Sequence, residues 1–150
     1  MFVSLKWLNQ YVKVDDLDPE ELAQRITNAG IEVESVRRLS TATGCVIGYV
    51  EEVYPHPEAD KLRVCRVDIG DDEPKQIVCG APNVRSGQKV IVAKVGAVLP
   101  GNVKIRKATL RGVESHGMIC SLQELGIESK FVPEAYQNGI YVLEEDAPIG

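Results

Sequence analysis

Apolar and polar residues along this chain follow two different periods, and the change falls near residue 43. Before it the spacing is helical. Leu5, Leu8 and Val12 share one helix face, and Ser4 stands where it can cap the first turn. "LDPEELAQRITNAG" carries a fuller helix grammar, with Asp18 as N-cap, Pro19 at the first helical position and Glu21 completing a capping box. Leu17 and Leu22 are spaced for a hydrophobic staple. Leu22, Ile26 and Ala29 form an apolar stripe, and Gly30 supplies a left-handed stop. "GIEVESV" (30–36) then alternates apolar with acidic residues, which predicts a strand. Two short helices and one strand have too little surface to bury alone. Residues 1–42 are therefore expected to be the N-terminal part of a split α/β domain, completed by chain beyond residue 150.

From residue 43 onward, short apolar runs alternate with Gly, Pro and Asp: "CVIGYVEEV", "KLRVCRVDIG", "KQIVCG", "KVIVAKVG" and "VKIRKATL". Five short strands so closely spaced predict a small closed barrel or a sandwich, and the bulges inferred next favour the barrel. Two of them break their own alternation. In 62–69 the apolar set moves from Leu62 and Val64 to Val67 and Ile69, and in 103–110 from Val103 and Ile105 to Ala108 and Leu110. A one-residue slip exchanges the faces of a strand, and a β-bulge absorbs it. Bulges are expected near Cys65–Arg66 and Arg106–Lys107. "SLQELG" then repeats the capping box with Ser121 and Glu124 and stops at Gly126, and "GIYVLEEDAPIG" adds a last strand. The expected fold class is mainly β: a five-stranded Greek-key barrel over 43–150, with the N-terminal α/β appendage.

Charge changes this picture by its distribution. The 150 residues carry a net −5, which alone argues against a nucleic-acid partner. Residues 61–111, however, hold 11 Lys/Arg against 4 Asp/Glu, while 121–150 hold 1 against 6. Such asymmetry permits a polyanion-binding face on an acidic protein. No apolar run is long enough to cross a bilayer, and the N-terminus lacks a signal-peptide pattern. The cytosol is the expected location, with no membrane partner. Cys45, Cys65, Cys79 and Cys120 form no close pair and are expected to be reduced and packed.

Catalytic motifs are missing. There is no G-x-x-x-x-G-K-[ST] and no G-x-G-x-x-G. His116 and Cys120 offer half a zinc site without the other half, and His56 is wedged between prolines. No cofactor or metal is assigned to this segment. Binding chemistry is better served. Lys61, Arg63, Lys104, Arg106, Lys107 and Arg111 fall on the inferred strands and turns, with Arg85 in the loop between two of them. Arg63, Lys104 and Arg106 alternate away from the apolar set and are expected to point outward. The plain alternative is a solvated face. Aromatic residues are only 5% of the chain, which favours phosphate and shape recognition of a folded RNA over base stacking on a single strand.

"HPEADKLRVCRVDIG", "QIVCGAPNVRSGQKV", "VGAVLPG" and "KATLRGVESHGMICSLQELG", in that order, resemble the tRNA-binding OB-fold domain of aminoacyl-tRNA synthetases and their accessory factors. "VSLKWLNQYV", the capped helix and "GIEVESV" resemble the start of the β chain of bacterial phenylalanyl-tRNA synthetases. One position departs from the family pattern: Glu58 stands in the "HP-x-AD" turn where Asn is expected. The resemblance implies a non-catalytic tRNA-binding module with tRNA as partner and no DNA. It also implies an α chain in an α2β2 assembly, with ATP and Mg²⁺ used by the holoenzyme. A free-standing dimeric tRNA-binding or chaperone-like barrel, and a purely structural spacer, are the alternatives.

Within "LRGVESHGMICS", Ser115 and His116 offer hydrogen-bonding tips to a phosphate or 2′-hydroxyl, and Gly117 permits close backbone approach. The same triplet also reads as a tight turn satisfying its own backbone, and both readings stand for His116. Ser121 is explained by its capping box. Without a phosphate cradle or an activated nucleophile, this chain is expected to catalyse no ATP–pyrophosphate exchange with phenylalanine. Exchange above a mock preparation contradicts that.

Overall fold

The computed structural model describes residues 1–150, which divide into two compact units, Met1–Arg38 and Leu39–Gly150. In the first, α1 (Leu5–Leu8) begins where Ser4 Oγ accepts from the Trp7 amide. It is shorter than its apolar spacing, because Asn9 ends it and turns its side-chain oxygen onto the Val14 amide, 2.7 Å away. α2 (Pro19–Asn28) starts at Asp18, whose carboxylate accepts from the amides of Glu20 and Glu21. Glu21 does not reach back to complete the box; it pairs with Arg25 one turn on, at 2.6 Å. Only Val14 and Leu22 are buried in this unit. Residues 30–36 form no strand, contrary to their alternation. A strand needs a neighbour to satisfy its backbone, and the unit contains none.

The second unit is mainly β, as the apolar runs require. Strand β1 (Thr43–His56) lies at the centre, antiparallel to β2 (Ala59–Asp68) on one side and β4 (Lys89–Leu99) on the other. β3 (Lys75–Cys79) extends the sheet beyond β2, and β5 (Val103–Lys104) beyond β4. Val50, Cys65, Val67, Ile77, Val90, Val92 and Ile119 form the almost fully buried core between them.

Both expected bulges are corrected. The β2–β3 ladder is regular from Arg63 to Val67. The extra residue is Glu51 in β1, between the pairs Val50↔Val67 and Glu52↔Arg66, so the slip lies across the ladder from Cys65–Arg66. Cys65, Val67 and Ile69 face the core, and Leu62 and Val64 are half-buried on the opposite face. Near Arg106–Lys107 the chain changes sheets. Ile105 exchanges backbone bonds with Gly96 and Ala97, and then β6 (Ala108–Leu110) pairs with β7 (Val113–Ser115) in a separate two-stranded ribbon. A change of sheet exchanges the faces as a bulge would, so the pattern alone does not separate them.

Residues 114–119 bring the sheet's far sides together. On one side the His116 amide donates to the Gln76 carbonyl at 2.8 Å, and Gln76 Nε2 donates to the Glu114 carbonyl at 2.7 Å. The Ser115 hydroxyl accepts from the Val78 amide and donates to the Gly117 carbonyl, both at 3.0 Å. On the other side β8 (Met118–Ile119) pairs with β4, Val92 against Ile119. β9 (Val142–Leu143) also pairs with β4. Asn83 clamps Ile140, accepting from its amide and donating to its carbonyl.

The thiols belong to this core. Cys65 and Cys120 are fully buried, and loss of hydration pushes both up to about 12. Burial also raises Cys45 and Cys79. None is a thiolate near neutral pH, so none is an activated nucleophile.

Two outcomes follow from the closure and the core. Gly117 has φ +135°, and a Cβ there would lie 2.8 Å from the Ala93 carbonyl oxygen. Gly117→Ala is expected to cost roughly 2–5 kcal/mol in urea denaturation, from strain plus overlap. A loss below about 1 kcal/mol contradicts the closure geometry. The thiols set a pH dependence. Between about pH 9 and 12 the unfolded chain releases thiol protons that the folded chain retains, so stability falls as pH rises through that window. Cys65→Ala should flatten the fall in a denaturation series; an unchanged slope contradicts burial as its cause.

Candidate nucleic-acid interface

Lys104 and Arg106 flank Ile105 in the sequence, and Ile105 is buried because its backbone is locked to β4. Alternation therefore turns both cationic side chains outward. Both are exposed and line an open groove of about 710 Å³. Its opposite wall is the end of β3 and the loop after it, Val78 to Pro82, with Gln137 to Ile140 alongside. Neither cation has a carboxylate partner. Elsewhere on this unit Arg66 pairs with Glu51 at 3.0 Å, and Asp71 holds Lys75 and Lys94 at 3.2 and 3.1 Å. Glu124 also borders the groove, but its carboxylate is bound by the Ser121 amide and hydroxyl. The positive charge at the rim is thus left unneutralised.

The other sequence candidates divide. Lys107 is exposed but paired with Glu114 at 3.0 Å, and His116 Nε2 lies 3.3 Å from the same carboxylate. Lys107 chiefly holds the Glu114 carboxyl below its usual range. Lys61 and Arg111 are exposed, and neither forms an ion pair. Arg63 is half-buried on the face of β2 that carries Cys65, not fully outward, and stands in register with Cys79 at the groove wall. Arg85 stands apart, its guanidinium donating to the carbonyls of Pro82 and Val84 in its own loop. Ser115 is 3% exposed and spends its hydroxyl on the closure, so it presents no tip to RNA.

His56 was not among the candidates. It is 6% exposed, and the Glu58 amide donates to its Nδ1 at 3.0 Å. The ring proton therefore sits on Nε2, which donates to the Leu110 carbonyl at 2.8 Å. This ties the β1–β2 turn to the tip of the β6–β7 hairpin. The bracketing prolines of "PHPEAD" were the available signal: they mark a rigid turn in which a histidine is held in one place.

The family model described as "Putative tRNA binding domain" matches residues 45–150. The beta subunit of phenylalanine–tRNA ligase from Geobacillus kaustophilus is 63% identical over 151 aligned residues, covering all of this chain and 19% of that protein. Those from Shouchella clausii and Bacillus subtilis are each 61% identical, over 97% and 100% of the chain and 18% and 19% of the relatives. The chain spans about a fifth of the length of the curated relatives it matches. On the match across residues 45–150, the chain belongs to the tRNA-binding domain family.

Proposed function

We propose that this chain is the tRNA-binding module of a phenylalanine–tRNA ligase beta subunit and takes no part in bond-making chemistry. The observation that carries the reading is the unneutralised pair Lys104 and Arg106 at the groove rim, on a domain where Arg66, Lys75, Lys94 and Lys107 are each held by a carboxylate. Phosphate contacts need cations free of internal carboxylates and give affinity without base specificity. Exposed aromatic rings are few on this unit, Tyr54 and Phe131, which favours the backbone of a folded RNA over splayed bases. Activation of phenylalanine with ATP and Mg²⁺ falls to an α chain in an α2β2 assembly, in the cytoplasm. Residues 1–38 support a further part of the proposal. Leu5, Val12 and Ile31 are exposed, and the alternating segment 30–36 has no strand neighbour, as expected of half a domain completed by chain beyond residue 150.

The test is titration of the chain with tRNA across a salt series. A few phosphate contacts predict a log–log slope of roughly −2 to −5. The double variant Lys104→Glu, Arg106→Glu should lose at least about tenfold in affinity at unchanged melting temperature, because both side chains lie in solvent. Arg85→Glu should bind within about twofold of the parent. Parental affinity in the double variant, or no binding by the parent at low salt, overturns the proposal in favour of a spacer domain.

A further inference from the structure

The hairpin tip places an arginine where its backbone is disfavoured. β6 and β7 are joined by the two residues Arg111 and Gly112, with φ of +48° and +84°. Positive φ at both positions is the geometry of the primed hairpin turns, which favour Asn, Asp and Gly. An L side chain crowds its own carbonyl there, and glycine avoids this at the second position. Arg111 gains nothing from the domain in return: it is exposed, forms no ion pair, and its guanidinium has no hydrogen-bond partner within the chain. Residues held in sparsely populated backbone regions persist where the surroundings over-determine them.

His56 is what over-determines this one. Its Nε2 grips the carbonyl of Leu110, the residue immediately before the strained position, while the Glu58 amide fixes the ring from its other nitrogen. Leu110 borders the same groove as Lys104 and Arg106, so the tip stands at the rim where unpaired cations already collect. We infer that Arg111 is a phosphate-contacting residue of the tRNA surface and that His56 is its positioning residue, acting through Leu110. The inference rests on the tRNA-binding reading. Its added content is that the hairpin trades local stability for the direction in which one guanidinium points.

A thermodynamic cycle on the full chain tests this by tRNA titration and thermal melting. Arg111→Asn keeps a residue at home in the left-handed region and removes the charge. It should raise the melting temperature, lower affinity roughly three- to tenfold and make the salt slope shallower by about one. His56→Asn retains an oxygen for the Glu58 amide but is too short for Leu110, and should lower affinity to the same extent. Combined, the two changes should lose no more than either alone, and His56→Gln, whose amide reaches as far as Nε2, should restore affinity. Losses that multiply, or parental affinity in Arg111→Asn, overturn the inference while leaving tRNA binding intact. Absence of parental binding at low salt overturns both. Should His56→Asn not fold, Arg111→Asn and His56→Gln decide alone: parental affinity in the first, or a loss in the second, overturns it.

Discussion

The Ser115 hydroxyl bridges the Val78 amide on β3 and the Gly117 carbonyl, and the remainder of the β domain is arranged around that bridge. A sheet of β3-β2-β1-β4 leaves the backbone of β3 without a partner on its outer side. Buried amides left unpaired cost about 1–3 kcal/mol each. No regular strand runs beside β3. Instead, the Ser115 hydroxyl accepts from the Val78 amide and the His116 amide donates to the Gln76 carbonyl, while the Gln76 side chain donates back to the Glu114 carbonyl. Only a small side chain fits so close to the core, and only glycine can follow it at φ +135° against the Ala93 carbonyl. The closure determines where β6 and β7 stand, and with them the cations of the 104–111 segment.

Those cations are what would let an acidic chain hold a polyanion. At physiological salt, charges more than about 8 Å apart are largely screened, so the net −5 matters less than what surrounds each side chain. Asp71 neutralises two lysines and Glu51 one arginine within the β domain. Along the groove the one bordering carboxylate, Glu124, is committed to capping Ser121. The acidic residues 144–146 follow β9, a strand whose partner on β4 is at Lys89 and Val90.

What could be read from the sequence was local. The caps at Ser4, Asp18 and Ser121 involve residues two or three apart, and all three form. Runs such as "KQIVCG" become strands because their apolar content requires burial whatever their partners. The unread features depend on partners distant in sequence. Segment 30–36 alternates like a strand, but no neighbouring strand stands beside it, and its own pattern does not reveal that. The extra residue at Glu51 shows only against Val67 and Arg66. Ser115 reads as a binding tip and His56 goes unassigned for the same reason. A polar residue beside glycine or proline reads as a surface turn, while its partners, Val78 and Leu110, lie 37 and 54 residues away.

The proposed RNA-binding surface is the groove rim at Lys104 and Arg106, with the hairpin tip at Arg111 beside it. Amide chemical-shift mapping of the ¹⁵N-labelled chain during titration with tRNA tests it most directly. Perturbations should concentrate at 104–107 and 110–112, with smaller changes around Lys61, and added salt should reverse them together. Perturbations centred on the Arg85 loop or on β3 near Lys75, with the 104–112 amides unmoved, would contradict it.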